Sequence, residues 1–167
     1  MGVPFRYLLY PNRKQETTLF QWSEAVRWLW NHYLEKNRDL HSGTGELLSY
    51  KVMCEDLAAL KKRHVWLNDT PDQVLQRTLM QLSTSIAAGF RKKGTGFPAP
   101  RSGSDRDTYL ISFPDDDSWR LARKNVFVPG MKAGIVFGKD RPFVGTPVRL
   151  DITRRENDWF LTVICKK

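Results

Sequence analysis

Two cysteines, Cys54 and Cys165, are all that the 167 residues contain, and no CxxC pair joins them. His32, His41 and His64 lack the close spacing of tetrahedral zinc ligands. Reduced thiols, no metal and no cofactor are therefore expected. Long apolar runs are missing as well: nothing approaches the roughly 18 consecutive apolar residues that a membrane-spanning helix requires. The N-terminal stretch MGVPFRYLLYP has no basic region followed by a long apolar one. A cytoplasmic protein is expected. Neither GxGxxG nor GxxxxGK[ST] occurs, which removes the kinase and dehydrogenase readings. Serine and histidine occur without a nucleophile elbow. Asp115, Asp116 and Asp117 are consecutive, whereas paired-metal chemistry needs carboxylates converging from separate rigid elements; a solvated turn is the plainer reading. No active site is expected.

Acidic residues are also in deficit: 18 Asp and Glu against 27 Lys and Arg leave a formal charge of +9. Such an excess usually meets phosphate or an anionic surface, although solubility alone can also require it. With 41% apolar residues the chain can bury a real core, of one ordinary domain or two small ones.

The local patterns change character once. Residues 3–10 are aromatic and β-prone and stop at Pro11-Asn12, which predicts a strand and a turn. Asn12 and Gln15 form a capping box for a first helix with apolar residues at Leu19, Trp22, Val26, Leu29, Trp30 and Tyr33, running to about Arg38. Val52, Met53, Leu57 and Leu60 mark a second helix ending near His64. A third opens at TPDQVLQRTLMQL, with Thr70 as N-cap, Pro71 at the first helical position and Gln73 at the capping-box position. Leu75, Leu79, Leu82, Ile86 and Phe90 make its buried stripe. Asp72 suits the positive helix end, but Gln76 has neither a core nor a capping duty.

From Arg91 the segment RKKGTGFPAPRSGSDRD mixes Gly, Pro and Ser with five basic residues and marks a boundary. Strands are predicted beyond it, at about 109–113, 121–128, 134–137, 147–153 and 159–165. Val148, Leu150 and Ile152 alternate with Arg149, Asp151 and Thr153, as a half-buried strand requires. A lone first strand is unstable, so it is expected to pair with these late strands around inserted helices. The expected class is α+β, with a small antiparallel β-barrel from 1–10 and 106–167. A helical lobe of three helices spans 11–105, its basic Gly/Pro loop at 91–105. Basic residues interleave with Tyr109, Phe113, Trp119 and Phe127, the combination by which small barrels hold single strands.

Several phrases, in shared order and spacing over nearly the whole chain, resemble the N-terminal half of the TnpB family. These are RYLLYPNRKQ (6–15), WLWNHYLE (28–35), WLNDTPDQVLQRTL (66–79), GFP (96–98) and the closing VRLDITRRENDWFLTVICKK. That family comprises the RNA-guided nucleases of IS200/IS605-type transposons, related to the small CRISPR Cas12 effectors. The resemblance implies a wedge domain, an oligonucleotide-binding-like barrel, with an inserted recognition domain. It implies guide RNA and target duplex DNA as partners. Tyr50, Gln73, Gln76 and the run Phe113, Pro114 and Asp115 fall where the family contacts a short target-adjacent DNA motif, and glutamine can pair with both major-groove groups of adenine. Nucleic-acid backbone contacts are expected at Arg6, Arg91, Lys92, Lys93, Arg101, Arg120, Arg123, Lys124, Arg154 and Arg155. Asp72 departs from the neutral or basic residues common at its position, and GFP runs into Ala99-Pro100 instead of a basic-aromatic continuation. The family's nuclease domain would follow Lys167, so the chain is expected not to cut DNA by itself. It would work with a separate nuclease-domain polypeptide or a full-length relative. Two other classes stay open: an RNA-independent transcriptional regulator of duplex DNA, and a protein-binding assembly or inhibitor piece that mimics the wedge domain.

Overall fold

A computed structural model describes residues 2–91, 95–102 and 109–167, Tyr109 by its backbone alone. The elements are β1 (Val3–Tyr10), α1 (Arg13–Thr44), α2 (Tyr50–Arg63), a 3-10 turn (Val65–Asp69), α3 (Asp72–Arg91), β2 (Tyr109–Phe113), β3 (Arg120–Ala122), β4 (Asn125–Phe127), β5 (Ile135–Phe137), β6 (Thr146–Arg155) and β7 (Asp158–Lys166). The chain is α+β, and it divides into two compact units, Met1–Glu24 with Ser104–Lys167, and Ala25–Gly103. The division falls within α1. Among the described residues no helix is long and apolar enough to cross a membrane.

The first unit is one antiparallel sheet of seven strands in the order β2-β6-β7-β1-β5-β4-β3, curled into an open half-barrel. The first strand does pair with the late ones: Val3 to Leu9 face Cys165 to Trp159 of β7, and Leu9 and Tyr10 face Phe137 and Val136 of β5. Alternation then separates two faces. Tyr7 and Leu9 of β1, Ile111 and Phe113 of β2, Leu150 and Ile152 of β6 and Leu161 and Val163 of β7 are all buried. The first turns of α1 close this core. Trp22 meets Phe113 edge-on at 6.2 Å, Phe20 meets Trp159 at 5.4 Å, and Trp159 Nε1 donates to Glu16 Oε2 at 2.9 Å. The capping box forms with both bonds, Asn12 N–H to Gln15 Oε1 at 3.0 Å and Gln15 N–H to Asn12 Oδ1 at 2.8 Å.

In the second unit Leu29, Tyr33, Met53, Leu57, Leu60, Leu67, Leu75, Leu79 and Leu82 share one core. Four expectations are corrected here. The first helix continues to Thr44 instead of stopping near Arg38. Phe90 is 42% exposed and Val52 45%, so neither belongs to its helix's buried stripe. Phe90 packs instead against Phe97 and His41 at the edge of the core. The single strand expected over 121–128 is a hairpin, β3 to β4, reversed at Arg123 and Lys124 with Arg123 in the left-handed region (φ 36°). A 3-10 turn over Val65–Asp69 precedes α3, and Thr70 caps its C-terminal end.

Candidate nucleic-acid interface

The alternation that buries Tyr7 and Leu9 turns Arg6, Leu8 and Tyr10 outward. Across the β1–β7 pairing Leu8 faces Phe160, and the Arg6 guanidinium lies 3.8 Å from the centre of that ring. Only the end of β1 pairs with β5, so the loop after β5 runs beside the remaining edge. Gly138 N–H donates to the Leu8 carbonyl at 2.8 Å and Arg141 Nη2 to the Arg6 carbonyl at 2.7 Å. A Cβ at Gly138 would lie 3.2 Å from the Tyr10 ring, so the loop runs close beside that side chain.

The result is a groove of about 660 Å³ lined by Arg6, Lys124, Lys139 and Arg141, with Tyr10, Val136 and Phe160 as its apolar floor. Among the described residues Asp140 is the one acid lining it, and Arg141 pairs with it at 2.8 Å. Tyr10 is 54% exposed. The buried Tyr7 hydroxyl has no hydrogen-bond partner among the described residues, and burial pushes its pKa up against the lowering effect of Arg141. Chemically, such a surface offers cations for phosphates and flat faces for bases.

The structure brings Arg6 and Lys124 of the expected backbone-binding set into this groove. Arg120 stacks on Phe127 at 3.9 Å across the β3–β4 hairpin, beside the exposed Arg123. Arg155 is exposed at the β6–β7 turn, whereas Arg154 covers the rings of Phe20 and Trp159 at 5.0 and 5.9 Å. Arg91 is exposed at the end of α3, and Lys92, Lys93 and Arg106 lie outside the described residues. Arg101 is half-buried: its guanidinium lies 3.9 Å from the Trp30 ring, and burial lowers its pKa to about 10. Sequence reasoning missed Tyr10, Arg141 and Phe160. Period-two reading from Arg6 could have found Tyr10; the other two needed the strand pairing.

The expected motif-reading residues fall on both units. Phe113 is corrected, because it is fully buried against Trp22 and no base can reach it. The Pro114 carbonyl accepts from Trp119 Nε1 at 2.7 Å and from Asp116 N–H at 2.9 Å, which holds the turn, while Asp115 is exposed. Asp116 caps Ser118, so the three carboxylates make a solvated turn. Among the described residues no group of three His, Cys, Asp or Glu side chains could hold a metal ion.

On the helical unit Gln76 is exposed and Gln73 half-buried, on a face of α3 that also carries the exposed Met80. Asp72 pairs with Lys61 of α2, which explains the carboxylate at the mouth of the helix. Tyr50, the first residue of α2, is half-buried; burial and a hydrogen bond with Cys54 push its hydroxyl pKa up to about 12, against the opposing charge of Arg77 on α3.

Two comparisons bear on this surface. A family described as a helix-turn-helix domain, of the OrfB IS605 type, matches residues 1–46. In the structure that stretch is one strand and one helix. The chain is also 22% identical over 161 residues, 95% of its length, to the "Putative RNA-guided DNA endonuclease InsQ" of Escherichia coli (strain K12). It spans 39% of that relative.

Proposed function

We propose that this chain is a member of the TnpB family, a reading its two matches support, and a cytoplasmic, non-catalytic nucleic-acid-binding module of an RNA-guided effector. The half-barrel is its wedge domain and holds the scaffold of a guide RNA. The helical unit is its recognition domain and reads a short motif beside the DNA target through Gln76, with Gln73 and Tyr50 nearby. A nuclease-bearing polypeptide, a separate subunit or a full-length relative, supplies the cutting. The observation that carries this reading is the groove, in which four cations surround the exposed Tyr10 ring and the Arg6–Phe160 stack. Cations paired with flat apolar faces suit an irregular, partly unpaired RNA better than a duplex alone.

The test is the salt dependence of RNA binding. Arg6, Lys124 and Lys139 replaced together by Ala should weaken affinity for co-purified RNA and flatten the log–log salt slope by about 2, at roughly 0.7 per single-strand phosphate contact. An unchanged slope and affinity would reduce the groove to a solvated surface. RNA-free protein that binds duplex DNA on its own would favour the regulator instead, and no nucleic-acid binding at low salt would favour a protein-binding piece.

A further inference from the structure

The connection from α2 to α3 leaves an aromatic outside. Trp66 is 42% exposed and its neighbour Val65 68%, in the 3-10 turn that sends Leu67 into the core. A tryptophan left out for want of room would be loosely held, but this one is braced. Trp28 of α1 meets it edge-on at 5.4 Å. Trp28 is itself fixed by His32, stacked at 4.8 Å with 13° between the planes, and by His64, also at 4.8 Å. Indole, imidazole and indole thus form a rigid step whose outermost member faces solvent.

The charge around the step has one dominant sign on the chain that leads to it. The last turn of α2 is Lys61-Lys62-Arg63; Lys61 is engaged by Asp72, while Lys62 and Arg63 are exposed. On its α1 side Trp28 borders a cleft of about 400 Å³ with Arg27, His32, Glu35, Lys36 and Asp39. Burial lowers the pKa of His32, and Lys36, His64 and Arg63 lower it further against the opposing effect of Asp56. The Nε2 atom of His32 is buried with no hydrogen-bond partner among the described residues. The carboxylates of Glu35 and Asp39 repel phosphate but accept hydrogen bonds from the amino groups of a base.

We propose that this step is a second nucleic-acid site: an unpaired nucleotide stacks on Trp66, with Lys62 and Arg63 holding the phosphates beside it. The site lies wholly on the helical unit and does not depend on the sheet groove. Its ligand is a single-stranded segment, since a base inside a duplex cannot offer its face to a side chain. A protein partner would also accept an exposed tryptophan, but two exposed cations, Lys62 and Arg63, against one acid, Asp69, within four residues of it favour phosphate.

The experiment uses 12-mers of uridine and of thymidine, fluorescein-labelled for anisotropy and 5-iodo-substituted for photocrosslinking. It is run on the full chain already carrying the three groove substitutions Arg6→Ala, Lys124→Ala and Lys139→Ala. Crosslinks should map to Trp66. Trp66→Ala should weaken binding by about 5- to 150-fold, the equivalent of 1–3 kcal/mol per stacked base, while Trp66→Phe should restore most of it. Lys62→Ala with Arg63→Ala should flatten the salt slope by about 1.4. RNA bound more tightly than DNA would assign the site to the guide, the reverse to a displaced target strand. Wild-type affinity in Trp66→Ala with no crosslink at Trp66 would overturn the site in favour of a protein-facing surface. Equal losses in Trp66→Ala and Trp66→Phe with lowered melting temperatures would overturn it in favour of packing. Neither result would touch the groove, which is read separately by comparing the wild type with the variant that lacks Arg6, Lys124 and Lys139.

Discussion

The sheet unit and the helical unit present cations and aromatics to solvent by different means. In the sheet the spacing comes from strand register. Arg6 reaches Phe160 and Arg120 reaches Phe127 at 3.8 and 3.9 Å because neighbouring strands set the side chains within reach. In the helical unit no ladder sets the spacing; the groups proposed to recognise nucleic acid occupy whatever faces the packed stripes leave free. Gln76 is exposed because Leu75, Leu79 and Leu82 turn inward, and Trp66 because Leu67 does. A surface built on register depends on backbone pairing over many residues. One built on leftover faces depends on a few packing and strap contacts.

The largest test of that contrast is in the two cores. Leu79→Ala in the helical unit and Leu161→Ala in the sheet should each cost about 2–5 kcal/mol. Hydrogen exchange should then rise in the mutated unit first. Simultaneous loss of protection in both would break the comparison. Next is the strap that follows α3. Gly96 N–H donates to the Gly89 carbonyl at 3.1 Å, and Trp30 Nε1 donates to the Ala99 carbonyl at 3.2 Å. Asn31 clamps the Arg101 backbone from both sides at 2.7 and 2.8 Å. A Cβ at Gly89 would land on the Gly96 carbonyl oxygen. Gly89→Ala should therefore lower stability by about 1–3 kcal/mol in a thermal melt, although alanine favours a helix by roughly 1 kcal/mol. A higher melting temperature would show that the strap does not close on the helix.

Gln76→Ala should cost about 1–3 kcal/mol of discrimination at one position of the target-adjacent motif and leave guide affinity nearly intact. A wild-type ranking of motif variants in the assembled complex would make Gln76 helix surface. The smallest effect is in pH. Burial holds the His32 pKa below its ordinary 6.5, so its contribution is complete above 6.5 and is lost as pH falls from there through the lowered value. The hydrogen bond from Tyr33, at 2.8 Å, and then Lys36 hold the Asp56 carboxyl below its ordinary 3.8; that contribution is present above this value and lost as pH falls through the lowered one. Both groups belong to the helical unit. Its melting temperature should fall first between pH 7 and 5, and His32→Gln should flatten that step. An equal acid response with His32→Gln would assign it elsewhere.

Much of this was legible in the residues. The Asn12–Gln15 capping box, the leucine stripe of α3 and the alternation of β6 need only local spacing, because helix and strand periods are set by backbone geometry. The antiparallel return of β1 to the late strands followed from the instability of a lone strand. Less legible were Phe90 and Val52, which have the right spacing but sit past the edge of the apolar partner surface, and the β3–β4 hairpin, whose turn residues Arg123 and Lys124 carry no glycine or asparagine signal.

By itself, then, the sequence determined the elements, the α+β class and the positive charge, all of which depend on neighbours a few residues apart. Which cations remain available was decided only by tertiary contact. Arg101 and Arg154 look like Arg6 and Lys124 in the sequence, yet the first two are half-buried, beside Trp30 and Phe20, and the last two are exposed and line a groove. Tyr10, Phe160 and Arg141 are separated by over a hundred residues from end to end, and only strand pairing and the loop beside β1 bring them together. A guanidinium carries the same charge in either setting; whether it meets solvent or an indole ring depends on chain segments distant in sequence, and no local pattern encodes those.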